Sequence, residues 1–129
     1  MFEALVSAVE EVEIPADGDA IVAAFALLDR LTAKVSAAVA EWDAGKSWEL
    51  DAATSAAAWL RHRAGMTASV ASATVRTAGR VRQLPATGAA WLAGQLSTGQ
   101  VKAVVANVED RTVAMFAEQE AALLPFLVP

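Results

Sequence analysis

Seven residues in the middle of the chain have the side chains and spacing to recognise a polyanion: Arg61, Arg63, Thr67, Ser69, Ser72, Arg76 and Arg80. Ser69, Ser72, Arg76, Arg80 and Gln83 step by 3, 4, 4 and 3, so on a helix they form one polar stripe. Arginine reads guanine edges or phosphate through its planar fork, and small hydroxyls let a helix approach a groove closely. Thr67 is placed as an N-cap, which opens a helix whose first N–H groups suit a phosphate. Arg61 and Arg63, just upstream, are placed to hold the flanking backbone. This is chemistry of contact, without bond-making.

Other chemistries lack their residues. The chain has no Cys, which excludes a disulfide framework, a thiolate zinc site, an iron–sulfur cluster and a thiol nucleophile. His62 is the single His, and no carboxylate falls between Asp51 and Glu109 to partner it as a general base. Glu10, Glu11 and Glu13 read as solvated acids at a helix end. Gly88, Gly94 and Gly99 follow no strand and precede no Gly-Lys-Ser/Thr, so they make no phosphate loop. Trp42, Trp48, Trp59 and Trp91 read as core anchors, with stacking on a base as the lesser role for Trp48. No metal, cofactor or small-molecule substrate is expected.

The charge is divided along the chain. Its formal value is -5, yet residues 52–108 carry six bases and no acid, while residues 1–51 carry eleven acids and three bases. A carboxylate-free stretch inside an acidic protein fits contact with a polyanion. It equally fits a stretch that is Ala-, Val- and Thr-rich and short of all charge, so composition leaves both readings open.

The elements that position these residues all read as helices. A short one spans Phe2 to about Glu11, and Pro15, Asp17, Gly18 and Asp19 form a break and an N-cap. The strongest pattern follows: Ile21, Phe25, Leu28, Val35, Val39 and Trp42 step by 4, 3, 7, 4 and 3, a heptad-like seam on a long helix ending near Gly45. That face must lie against other helices or a second copy of the chain. Thr54 or Ser55 caps a helix to about Arg63, Ala64-Gly65-Met66 makes a tight turn, and Thr67 starts a helix that stops before Pro85. The inward side of this helix is expected to hold Val70, Ala71, Thr74, Val75, Ala78 and Val81. Ala86 to Ala93, Ser97 or Thr98 to about Val108, and Arg111 to Leu124 complete the set, with Pro125 ending the last. No period-2 run or hairpin signal occurs.

The expectation is an all-α fold: a multi-helix bundle with one long N-terminal helix and an embedded helix-turn-helix-like segment. At roughly 100–200 residues per domain it is one domain, 1–129, with the long helix at about 19–43, the helix-turn-helix-like part at about 54–84 and C-terminal helices at about 97–124. The longest apolar run, Ala20 to Leu28, has nine residues against the roughly 18 that span a bilayer. The opening Met1-Phe2-Glu3 lacks a basic segment, so no secretory signal, no membrane and a cytoplasmic location are expected.

Trp59-Leu60, Ala64-Gly65-Met66-Thr67, Arg76, Leu84-Pro85, Gly94-Gln95-Leu96-Ser97 and Gln100 form an ordered set. In that order the chain resembles the actinobacterial domain of unknown function 222, or 13E12 repeat family, over nearly its whole length. The resemblance implies an all-helical module that commonly precedes an HNH endonuclease domain. The stretch from Trp59 to Val105 also looks like the helix-turn-helix region of ParB-type partition proteins, where a recognition helix leads to Leu-Pro and then to a Gly-x-Leu-Ser segment. One departure limits what carries over. An HNH nuclease needs several His with Asn or Asp around a metal, and here His62 and Asn107 stand alone and far apart.

Two functions of different class follow. The first is a non-catalytic nucleic-acid-binding module, with double-stranded DNA as partner and the seven residues above as contacts. The second is an oligomerisation or protein-interaction module that works through the Ile21–Trp42 seam and the Phe116, Leu123 and Phe126 end, or a truncated remnant with no activity of its own.

Overall fold

The computed structural model of the chain describes residues 1–108 and 112–127. Among these residues it is built from seven α-helices: α1 (Glu3–Glu11), α2 (Gly18–Ala44), α3 (Ala56–Arg63), α4 (Ala68–Arg82), α5 (Pro85–Leu92), α6 (Thr98–Ala106) and α7 (Val113–Leu127). A 3-10 turn, Ser47–Asp51, joins α2 to α3. The described residues hold no strand, and the all-α expectation stands.

Local capping sets most of the starts. Asp17 accepts the N–H of Ala20 at 3.1 Å, Ser55 that of Ala58 at 3.0 Å and Thr67 that of Val70 at 3.3 Å. Ser97 and Gln100 make a reciprocal box at 3.1 and 2.8 Å. The starts of α6 and α5 also draw acceptors from elsewhere in the fold. Asp29 on α2 accepts the N–H of Thr98, the first residue of α6, at 3.1 Å. Glu120 on α7 accepts the N–H groups of Ala86 and Thr87 in the first turn of α5 at 2.8 and 2.7 Å.

Helix α2 has 27 residues, roughly 40 Å of length. It packs against α4, α5 and α6, and its buried residues are Ala33, Ser36 and Ala40. Ala71 and Ala78 of α4 are buried as well, so small side chains dominate where these helices enter the interior. Two apolar clusters sit beneath. One joins Ala33 to Trp91, Leu96, Val101 and Val105. The other joins Leu84, Val104, Val108 and Val113, with Phe116 and Ala117 against it.

The Ile21–Trp42 seam is therefore not the inward face of α2. Phe25, Leu28 and Val35 are 62%, 55% and 52% exposed, Ile21 is open, and only Val39 and Trp42 are half-buried. The reason is steric: alanines let α2 lie close to α4, where a row of Leu and Phe would hold the axes apart. Helix α1 is exposed over its whole length.

Smaller departures have local causes. The left-handed residue after α2 is Lys46 (φ 51), and Gly45 is right-handed (φ -81), so the chain turns one residue later than the glycine suggested. Pro125 lies inside α7, near its end, where one missing N–H costs the last turn little. Val70, expected inward, is exposed. The expected onset of the last helix at Arg111, and the side chains of Leu123 and Phe126, lie outside the described residues.

Candidate nucleic-acid interface

Helices α3 and α4 pack against each other across the turn Ala64–Thr67. Gly65 sits at φ +69, a left-handed conformation in which any Cβ is strained. The Ala64 and Met66 N–H groups return to the Leu60 carbonyl at 3.0 and 3.5 Å, which fixes the angle between the two helices. Leu60 anchors α3, and Ala71, Thr77 and Ala78 anchor α4.

With that side inward, Ser69, Ser72 and Arg76 are exposed on the other side of α4, as their spacing predicts. Arg80 continues the stripe but is half-buried. Thr67 is exposed, and its hydroxyl, besides capping α4, lies 3.4 Å from that of Ser69. Arg61 and His62 are exposed in the last turn of α3.

Arg63 is held differently. Its guanidinium lies 5.1 Å from the Trp59 ring centre and 3.9 Å from the Asp51 carboxylate. Trp59 donates its indole N–H to the same carboxylate at 2.8 Å and meets Trp42 edge-on, with ring centres 5.0 Å apart. Trp48 donates to Asp43 at 2.9 Å. This cluster fastens α3 to the end of α2. Three of the four tryptophans thus sit half-buried at one end of the molecule, and only Trp91 is a fully buried anchor.

Arg82 escaped sequence reasoning as a structural residue. It donates to the Ala40 carbonyl of α2 at 3.3 Å, so it secures the back of α4. Its place four residues after the buried Ala78 was the available signal.

No acidic residue lies on α3, α4, α5 or α6. Asp51, the acid nearest in sequence, is engaged by Trp59 and Arg63. The exposed side of α4 thus combines guanidinium, hydroxyl and helix-end N–H donors without a carboxylate on its own element. Among the described residues, no group of three or more His, Cys, Asp or Glu gathers to hold a metal ion, and no helix is long and apolar enough to cross a membrane. A groove of about 620 Å³ between α2, α4 and α5 is floored by Ala33, Ala78 and Trp91, with Lys34, Glu41 and Arg82 at its edge.

The family model described as Domain of unknown function (DUF222) matches residues 19–127. No curated protein and no solved structure matches the chain.

Proposed function

We propose that this chain, which belongs to the DUF222 family, is a non-catalytic helical module that binds double-stranded DNA through α4 and the end of α3. The observation that carries the reading is the exposed row Ser69, Ser72 and Arg76 on α4, with Arg61 exposed on α3, on helices without a carboxylate. In this reading α4 lies in the major groove. Arg76 reaches base edges or a phosphate, Ser69 and Ser72 allow close approach, and the start of α4 at Thr67 takes a phosphate. Arg61 and Arg63 contact the flanking backbone, with Arg63 already oriented by Trp59 and Asp51. Arg80 sets the far end of the stripe.

The test is fluorescence anisotropy with a labelled duplex of mixed sequence, titrated at about 50 and 200 mM salt. Three arginine–phosphate contacts predict that affinity falls roughly fortyfold between the two conditions. Arg61→Ala with Arg76→Ala removes most of that slope while helicity stays unchanged. No binding at low salt, or a double variant that binds like the parent, overturns the proposal.

A further inference from the structure

Much of the apolar surface of α2 is not inside the molecule. Ile21, Leu28, Leu31 and Val35, with Leu27 at the edge, lie on the side of α2 away from Ala33, Ser36 and Ala40; Phe25 borders it, lining a groove with Leu96 and Ser97, and all six are exposed. Phe2, just before α1, and Leu5, Val6 and Val9 of α1 are exposed too, spaced as one side of a helix. The chain's own α1 leaves the seam of α2 uncovered.

At about 100 Å² of open surface per side chain, these ten residues present on the order of 1,000 Å², above the 800 Å² or so that each partner gives to a standard interface. The six side chains on α2 alone, about 600 Å², reach the upper end of what a monomer exposes as one patch. No charged residue falls among the seam positions, so a surface of the same kind is its complement. The chain holds such a surface itself.

We propose that this face joins two copies of the chain, with their α2 helices antiparallel across a two-fold axis. Heptad spacing selects the register. Leu28 of one copy lies against Leu31 of the partner subunit, Ile21 against the partner's Ala38, and Phe25 against the partner's Thr32. Lys34 and Glu41 then face Leu27 and Ala20 of the opposite copy, so like charges are not brought together. The start of α2, with α1 attached through residues 12–17, arrives at Val39 and Trp42 of the partner subunit. There the apolar side of α1 extends the contact. A parallel pair would instead align Asp17 and Asp19 with their own copies and the two helix dipoles with each other.

Self-association needs no nucleic acid, so it is measured on the whole 129-residue chain alone. Sedimentation velocity from about 1 to 100 µM is expected to show a dimer. Leu28→Glu with Leu31→Glu is expected to raise the dissociation constant at least about a hundredfold, with circular dichroism unchanged because both side chains are exposed within one chain. A monomer at every concentration, from α1 folding back or from a seam reserved for another protein, overturns the proposal. So does a dimer that survives the double variant.

The absence of Cys gives a direct check of direction. An Ile21→Cys chain mixed with an Ala38→Cys chain is expected to form a disulfide between the two variants. Ile21→Cys alone is not expected to cross-link, since its two copies would stand roughly 25 Å apart along the axis. A disulfide between two Ile21→Cys chains overturns the antiparallel arrangement.

Discussion

Glu120 accepts the N–H of Thr87 at 2.7 Å, a buried contact between α7 and the first turn of α5. Its second oxygen takes the N–H of Ala86 at 2.8 Å. Helix α5 begins Leu84-Pro85, with no side chain of its own to cap it, so a carboxylate from thirty-three positions away serves as the cap. The charge also faces the positive end of the helix.

Glu120→Ala is therefore expected to lower stability by about 2–4 kcal/mol, since two N–H groups lose a charged acceptor. Glu120→Gln, which keeps one acceptor oxygen, is expected to lose about half as much. Urea unfolding midpoints, compared at equal slope, check both. Equal stability of all three proteins would mean that water satisfies the N–H groups.

The hydroxyl of Thr87 is buried and has no hydrogen-bond partner among the described residues. Thr87→Val keeps the shape and removes an unsatisfied polar group, so it is expected to leave stability unchanged or raise it by up to about 1 kcal/mol. A thermal melt decides. A clear loss would reveal a partner for the hydroxyl in solution.

Two glycines should respond to alanine with opposite signs. Gly65, at φ +69, has open space around it but a backbone that a Cβ strains, so Gly65→Ala is expected to cost about 1 kcal/mol. Gly79 lies inside α4 with nothing near its Cβ direction, and Gly79→Ala is expected to stabilise by about 0.5–1 kcal/mol. Chemical denaturation of the pair measures both. Two changes of the same sign would contradict the turn geometry.

Ser72 offers a sharper test of the α4 interface than loss of an arginine. Ser72→Glu places a carboxylate in the middle of an exposed row that has none, and nothing buried is disturbed. Duplex binding at low salt is expected to weaken more than about tenfold, with the melting temperature of the protein unchanged. Unaltered binding would move the contact off this face.

Much of the framework was legible because its signals are local. Thr67 acts as a cap where the sequence placed it, Asp17 and Ser97 are the caps among the neighbouring candidates the sequence offered, and Gly65 ends α3. The outward placement of Ser69, Ser72 and Arg76 followed from helical period. What stayed hidden depends on contacts between distant parts of the chain. Hydrophobic spacing shows which side of α2 avoids water but not what covers it, and the bundle took the alanine side instead. The trans caps from Asp29 and Glu120 have no local pattern at all. The tie from Arg63 to Asp51 and the half-burial of Arg80 likewise depend on which residues meet once the helices are packed.

The alanine contacts between α2 and α4 have a consequence for descent. Ala33, Ala40, Ala71 and Ala78 leave almost nothing to trim; enlargement at the wholly buried Ala71 pushes packed neighbours apart, while at Ala33, Ala40 and Ala78 it can only fill the groove beside α5. A lineage built on this crossing can change there by single steps only into that groove. Its inherited quantity is the spacing of two axes, and variation is channelled to the outward sides of the same helices, where new partners can be acquired while the frame stays fixed.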